Sequence, residues 1–362
     1  FLHILDTSAS IEKGLNDGTV RLLDVSGFDE TDLPNEYLAS IAATTELGYE
    51  KQIAYEFISG TCIDDGYYTF YTNSFSAFAT TTLTNGTYTI ETDKGIDSIN
   101  KTTVTAGNNV ILQFKIVEPA KPIIFNGTIT VNKNAKLTVK FHDASWDLDY
   151  TICRGKNFKD EFFYVNKDGS LTIQGRDGEE DRKFHIDGRS YNDSDFTEIS
   201  ASNPTIVSAG VVSLNNVIIK NNKSTNANYG GAAIRFGGDG TSGTNSLSNV
   251  IIENCSATLE GGGIGYYSYR ELNMNHVTIK KCSTDNLGGG IYLINGNANN
   301  QITLNDVHFE ECISKNQGGA ILHNSVSALN LNNSDIKNCS ALHGTAIMMP
   351  GNNLIKGNIT AD

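Results

Sequence analysis

Three groups of side chains in this sequence could do chemistry. Cys255, Cys282, Cys312 and Cys339 recur at intervals of 27, 30 and 27 residues. Asp177, Glu179, Glu180, Asp181 and Asp187 crowd into the segment RDGEEDRKFHIDG. Arg235, Tyr267, Tyr269 and Tyr292 follow glycine-rich turns. Thiols could bind a metal or form disulfides, but metal sites gather ligands at short spacings such as C-x2-C. The acidic oxygens would suit calcium, yet no EF-hand or nonapeptide calcium pattern accompanies them. A solvated loop is the simpler reading, and no cofactor is expected. The arginine and tyrosines would serve recognition, because such side chains bring large contact area and fixed polar direction.

The elements that must position these groups come from an internal repeat. Five segments align: LNNVIIKNN, LSNVIIENC, MNHVTIKKC, LNDVHFEEC and LNNSDIKNC, starting at Leu214, Leu247, Met274, Leu304 and Leu331. Each is followed by a small-residue turn that ends in isoleucine: GGAAI, GGGI, GGGI, GGAI or GTAI. Val and Ile two apart share one face of a strand. No unit carries a helical pattern of useful length. Short strands in so few residues cannot bury a face alone, but stacked coils can. The expected fold is all-β, a right-handed parallel β-helix with coils roughly 4.8 Å apart.

Stacking turns repeat positions into columns. Val217, Val250, Val277, Val307 and Ser334 form one, and Ile219, Ile252, Ile279, Phe309 and Ile336 another. Asn222, Cys255, Cys282, Cys312 and Cys339 fall at a coil corner, where thiols behave as small hydrophobes. Parallel Cβ vectors would disfavour disulfides between them. Cys62 and Cys153 lie in other regions and could pair. Gly231, Gly261, Gly288, Gly318 and Gly344 form a glycine column, which implies positive φ or a crowded backbone. With Ile234, Ile264 and Ile291 inward, alternation turns Arg235, Tyr267, Tyr269 and Tyr292 outward.

The pairing of G-G-A-I with F-x-x-N resembles the repeat of chlamydial polymorphic outer membrane proteins and related bacterial surface adhesins. Here the second element reads Ile219–Asn222, Ile252–Cys255, Ile279–Cys282, Phe309–Cys312 and Ile336–Cys339, with Ile mostly replacing Phe and Cys mostly replacing Asn. The likeness spans about residues 165 to 350. It implies a β-helix of the pectin-lyase-like kind, extracellular display at the cell surface and adhesion. It supplies no catalytic residue.

The rest of the chain is less regular. Residues 1–118 read as a β-sandwich-like module with one short helix in DETDLPNEYLASIAA, ending at the linker VEPAKP. Residues 119–213 read as degenerate first coils and an N-terminal cover, with the insert 145–165 looping out of them. Residues 214–362 are the regular coils. The chain starts at Phe1, which points to a processed or excised segment. Asp and Glu number 41 against 27 Lys and Arg, a balance of −14 that argues against nucleic acid as partner. No run of apolar residues is long enough to insert in a membrane.

β-Helices also host polysaccharide lyases and hydrolases. Hydrolysis of pectin needs paired aspartates and a Gly-His-Gly segment, and only His343 stands before the glycine column. Arg235 and Arg270 follow glycine turns without the carboxylate trio a lyase needs. The expectation is a non-catalytic extracellular surface protein. Its partner would be a glycan or protein receptor on a host or neighbouring cell. The alternative is a structural subunit bound to its own copies in a filament, sheath or surface layer, and the third reading is a polysaccharide-active enzyme.

Overall fold

The computed structural model describes residues 20–24, 53–57, 62–63, 67–71, 81–91, 98–99, 101–115, 122–141, 150–176, 183–192, 195–228, 230–238, 240, 242–294, 297, 299–350 and 355–361. Among them every regular element is a β-strand, and no helix is long and apolar enough to cross a membrane. The strands wind as a right-handed parallel β-helix.

One wall is a sheet of ten short parallel strands, from Thr81–Leu83 to Ile347–Met348. Ile234, Ile264, Ile291, Ile321 and Ile347 stand in register along it. A second sheet carries the longer strands Val211–Lys220, Thr244–Glu253, Glu271–Lys280, Ile302–Glu310 and Leu329–Lys337. A third holds five two-residue strands, among them Ser256–Ala257 and Ser283–Thr284. Between the walls runs one continuous core, in which Val217, Val250, Val277, Val307, Ile219, Ile252, Ile279, Phe309 and Ile336 are all at most 1% exposed. Each such side chain contributes roughly 1.5–3 kcal/mol when buried.

The corners explain how one long strand serves two walls. Leu214 and Val217 both face the core although they are three apart, which simple alternation forbids. Asn216 between them has φ +55°, a left-handed kink that resets the alternation. Asn249, His276, Asp306 and Asn333 repeat the kink at φ 53°, 54°, 54° and 50°. A second left-handed column follows at Asn221, Asn254, Lys281, Glu311 and Asn338, and the glycine column forms a third at φ 86°, 67°, 69°, 67° and 62°.

The coils reach further toward the N-terminus than the sequence suggests. Thr81–Leu83 pairs in parallel with Thr102–Val104, which pairs with Ile129–Val131. Gly86–Glu91, Asn109–Lys115 and Lys136–Phe141 stack likewise. Residues 81–115 are therefore coils, not part of a sandwich ending at 118. In register, Thr81 and Thr102 stand where later coils carry isoleucine, as at Ile206 and Ile234. Within residues 1–80 the described strands are few, with Val20–Asp24 pairing antiparallel to Ile53–Phe57. The expected helix lies outside the described residues, as does most of the linker. Nor does the insert 145–165 simply loop out. Tyr150–Arg154 pairs with Ile123–Phe125, and Phe163–Val165 joins the ten-stranded wall.

The cysteine column is buried in its expected corner. Cys255, Cys282 and Cys312 are 0% exposed, and Cys339 is half-buried. Asn222 heads the column, donating to the Ala232 carbonyl at 2.7 Å and accepting from Arg154 Nη2 at 3.1 Å. The repeat thiols are all free, and so is buried Cys153, so the Cys62–Cys153 pairing is not formed. Burial holds the Cys282 thiol above its usual range, which slows its reaction further. In the native protein an alkylating reagent should therefore reach Cys339 first, and Cys255, Cys282 and Cys312 only on unfolding. Rapid native labelling of all four would contradict this packing.

One outward column alternates in charge. Asp187, Lys220, Glu253, Lys280, Glu310 and Lys337 are successive cross-strand partners. Lys280 Nζ lies 2.9 Å from Glu253 Oε2. Exposed pairs of this kind contribute less than about 1 kcal/mol each, but their order favours the native register.

Candidate binding face

The middle residue of each three-residue strand in the ten-stranded wall points away from the core. Val207, Arg235, Gly265, Tyr292 and Leu322 form this outward column. Its inward flanks are buried: Ile234 and Phe236, Ile264 and Tyr266, Ile291 and Leu293. Gly265 leaves a gap between Arg235 and Tyr292. Tyr267, two residues on, folds back to fill it. A Cβ on Gly265 would lie 2.9 Å from Tyr267 Cε2, so only glycine leaves the ring this room.

The result is a three-layer stack. The Arg235 guanidinium carbon sits 5.2 Å from the Tyr267 ring centroid. Tyr292 lies on its other neighbouring rung, with ring centroids 5.5 Å apart and planes tilted by 56°. The Tyr267 hydroxyl donates to Glu260 Oε2 at 2.9 Å. Cation–π and aromatic contacts of this type contribute about 0.5–2 kcal/mol each. Burial, helped by the Glu260 carboxylate, pushes the Tyr267 hydroxyl well above the ordinary tyrosine range. Burial raises Tyr292 in the same direction.

Three of the four expected residues thus come together, and Tyr269 does not. It is 38% exposed, on the turn between buried Ser268 and buried Arg270. Tyr292 points outward as alternation requires, yet it is only 7% exposed because the stack covers it. Glu260 and Gly265 were not singled out in the sequence. The signal for Gly265 is a glycine at the centre of a strand, in IGY where neighbouring coils read IRF and IYL.

Beneath the face, Tyr266 ties the wall to the next strand. Its hydroxyl donates to the Arg270 carbonyl at 2.7 Å, and Asn245 Nδ2 lies 3.3 Å from the same oxygen. Burial pushes the Tyr266 hydroxyl up to about 12. A free tyrosine titrates near 10, so this contribution to stability is whole below about pH 10 and is lost as pH rises through about 12. The melting temperature should fall across that window, and Tyr266→Phe should remove part of the fall. An identical alkaline profile in the variant would contradict the assignment.

The other candidates resolve differently. Asp177, Glu179, Glu180 and Asp181 lie outside the described residues. Asp187 is 1% exposed, and its carboxylate is engaged. Arg189 Nη2 meets Oδ2 at 2.7 Å, Arg189 Nε meets Oδ1 at 3.0 Å, and Asn221 Nδ2 reaches Oδ2 at 3.1 Å. That makes Asp187 an ion-pair partner, not an open calcium ligand. Arg270, considered as a lyase base, is buried and donates to the Ser242 and Ala209 carbonyls at 2.9 and 3.0 Å. A polar groove of about 460 Å³ lies elsewhere, lined by Glu198, Ile199, Asn221, Lys223, Asn254 and Ser256. Comparison with protein-family models, curated proteins and solved structures finds no match to this chain.

Proposed function

We propose that this chain is a non-catalytic extracellular surface protein that adheres through the face built on Arg235, Tyr267 and Tyr292, with Tyr269 at its rim. The observation that carries this reading is the stack itself, in which Arg235 and Tyr292 on the strand ladder hold Tyr267 between them before any partner arrives. Arginine and tyrosine are favoured anchors in binding interfaces. Side chains already held in place give up little freedom on association, so more of the contact energy appears as affinity. The likeness of the repeat to bacterial surface adhesins points the same way, toward a glycan or protein receptor on another cell.

The test is a screen of the intact protein against immobilised glycans and whole cells, with acidic polysaccharides incubated alongside. Saturable binding with unchanged polysaccharide length is the expected result. New reducing ends or unsaturated products would overturn the non-catalytic reading. End-to-end polymers under the electron microscope, with no receptor bound, would favour the filament reading instead.

A further inference from the structure

The cysteine column takes no part in the proposed adhesion, and its geometry suits a different task. The backbones stay in parallel register through the corner. Ser283 N donates to Cys255 O, Ile313 N to Cys282 O and Ser340 N to Cys312 O, each at 2.9 Å. Successive cysteines therefore stand one rung apart, about 4.8 Å. One sulfur reaches across a rung directly: the Cys312 amide donates to Cys339 Sγ at 3.3 Å. The remaining polar contacts are main-chain carbonyls, such as Ile279 O at 3.3 Å from Cys312 Sγ.

This arrangement disfavours two familiar outcomes. A disulfide needs Cβ atoms turned toward one another, whereas neighbours in a parallel ladder point the same way. A zinc centre needs about four convergent ligands, and among the described residues no three His, Cys, Asp or Glu are grouped to hold an ion. Two-coordinate binding between neighbouring thiols escapes both objections. Metal–thiolate bonds of about 2.3 Å on either side of an ion span about 4.6 Å, close to one rung. Soft sulfur ligands select copper(I), zinc and iron–sulfur clusters, and the last two call for about four ligands.

We propose that Cys255, Cys282, Cys312 and Cys339 form a linear site for soft monovalent metal ions, each ion bridging the sulfurs of two successive coils. One ion displaces the protons of both thiols in its pair, and both leave to solvent, because the thiolate is the ligand. Half-buried Cys339 marks the end where the column meets solvent, and the ion enters there.

The experiment is an anaerobic titration of the whole protein with silver(I), and with copper(I) supplied as its acetonitrile complex. The expected result is one ion per pair of column thiols and two protons released per ion. The β-sheet circular dichroism should be retained, the melting temperature raised, and metal X-ray absorption should show two sulfur neighbours. Cys312→Ser and Cys312→Ala interrupt the column and should halve its capacity. Cys153→Ser, outside the column, should leave the capacity unchanged. Binding only as the fold is lost, nitrogen or oxygen neighbours at the metal, or full capacity in both Cys312 variants would overturn the proposal. If the variants fail to fold, the absorption spectrum and capacity of the unaltered protein decide.

Discussion

Gly288→Val is expected to destabilise the protein by about 3 kcal/mol. Gly288 sits at φ +69°, where an L-residue costs about 1–2 kcal/mol and a β-branched one resists more strongly. Space is lacking as well. A Cβ there would lie 2.4 Å from Ile291 O and 2.8 Å from its carbonyl carbon. Those are backbone atoms of the next strand, so no rotamer change relieves the clash, and overpacking adds about 1–3 kcal/mol. The same backbone argument gives an opposite sign elsewhere. Lys281 is exposed at φ +54°, and Lys281→Gly should be neutral or stabilising because it releases left-handed strain. Thermal melts of the two variants check this together. An unchanged melt for Gly288→Val, or a large loss for Lys281→Gly, would contradict the corner geometry.

Phe309→Ala is expected to cost about 3–5 kcal/mol. Phe309 replaces isoleucine in its column and is 1% exposed. Its ring fills the space left by Gly290 on the preceding coil, where a Cβ would come within 2.8 Å of Phe309 Cδ1. Truncation removes the ring but not the glycine gap, and the walls are held apart by rungs above and below. The cavity can collapse little, which places the cost at the upper end of such substitutions. Phe309→Ile restores the residue found in the other coils and should lose less than half as much. Denaturant or thermal unfolding of both variants is the measurement. Equal losses would show that the ring has no special fit to Gly290.

The fold was legible where one residue type recurs in nearly every coil. The glycine column and the Val and Ile columns announced the coils because burial and positive φ admit few substitutes. The left-handed kink after Leu214 was harder to see. Asn216, Asn249 and Asn333 signal it, since asparagine tolerates that conformation, but His276 and Asp306 hide it in the middle of the column. The coils of residues 81–115 were harder to see because they lack the G-G-x-I and Cys repeat pattern, although Gly107 marks one of their turns at φ 78°. At the candidate face, alternation alone placed Arg235 and Tyr292 outward. It could not show that Tyr267 turns back, because that depends on the empty place at Gly265 and on Glu260 from the preceding turn. Asp187 misled for a related reason. Its neighbours in sequence are acidic, but its partners Arg189 and Asn221 are brought by the next residues and the next coil.

One comparison tests the binding face most directly: the affinity of the intact protein and of Tyr267→Ala for the cells or glycans that it binds, with melting temperatures taken on the same samples. Tyr267 is the middle layer of the stack, touching Arg235, Tyr292 and Glu260 at once. Its loss should weaken binding about tenfold or more, as for a central aromatic anchor, while the buried coils keep the fold. Tyr269→Ala, outside the stack, should change affinity far less. Undiminished binding by Tyr267→Ala in a folded protein would contradict the assignment of this face.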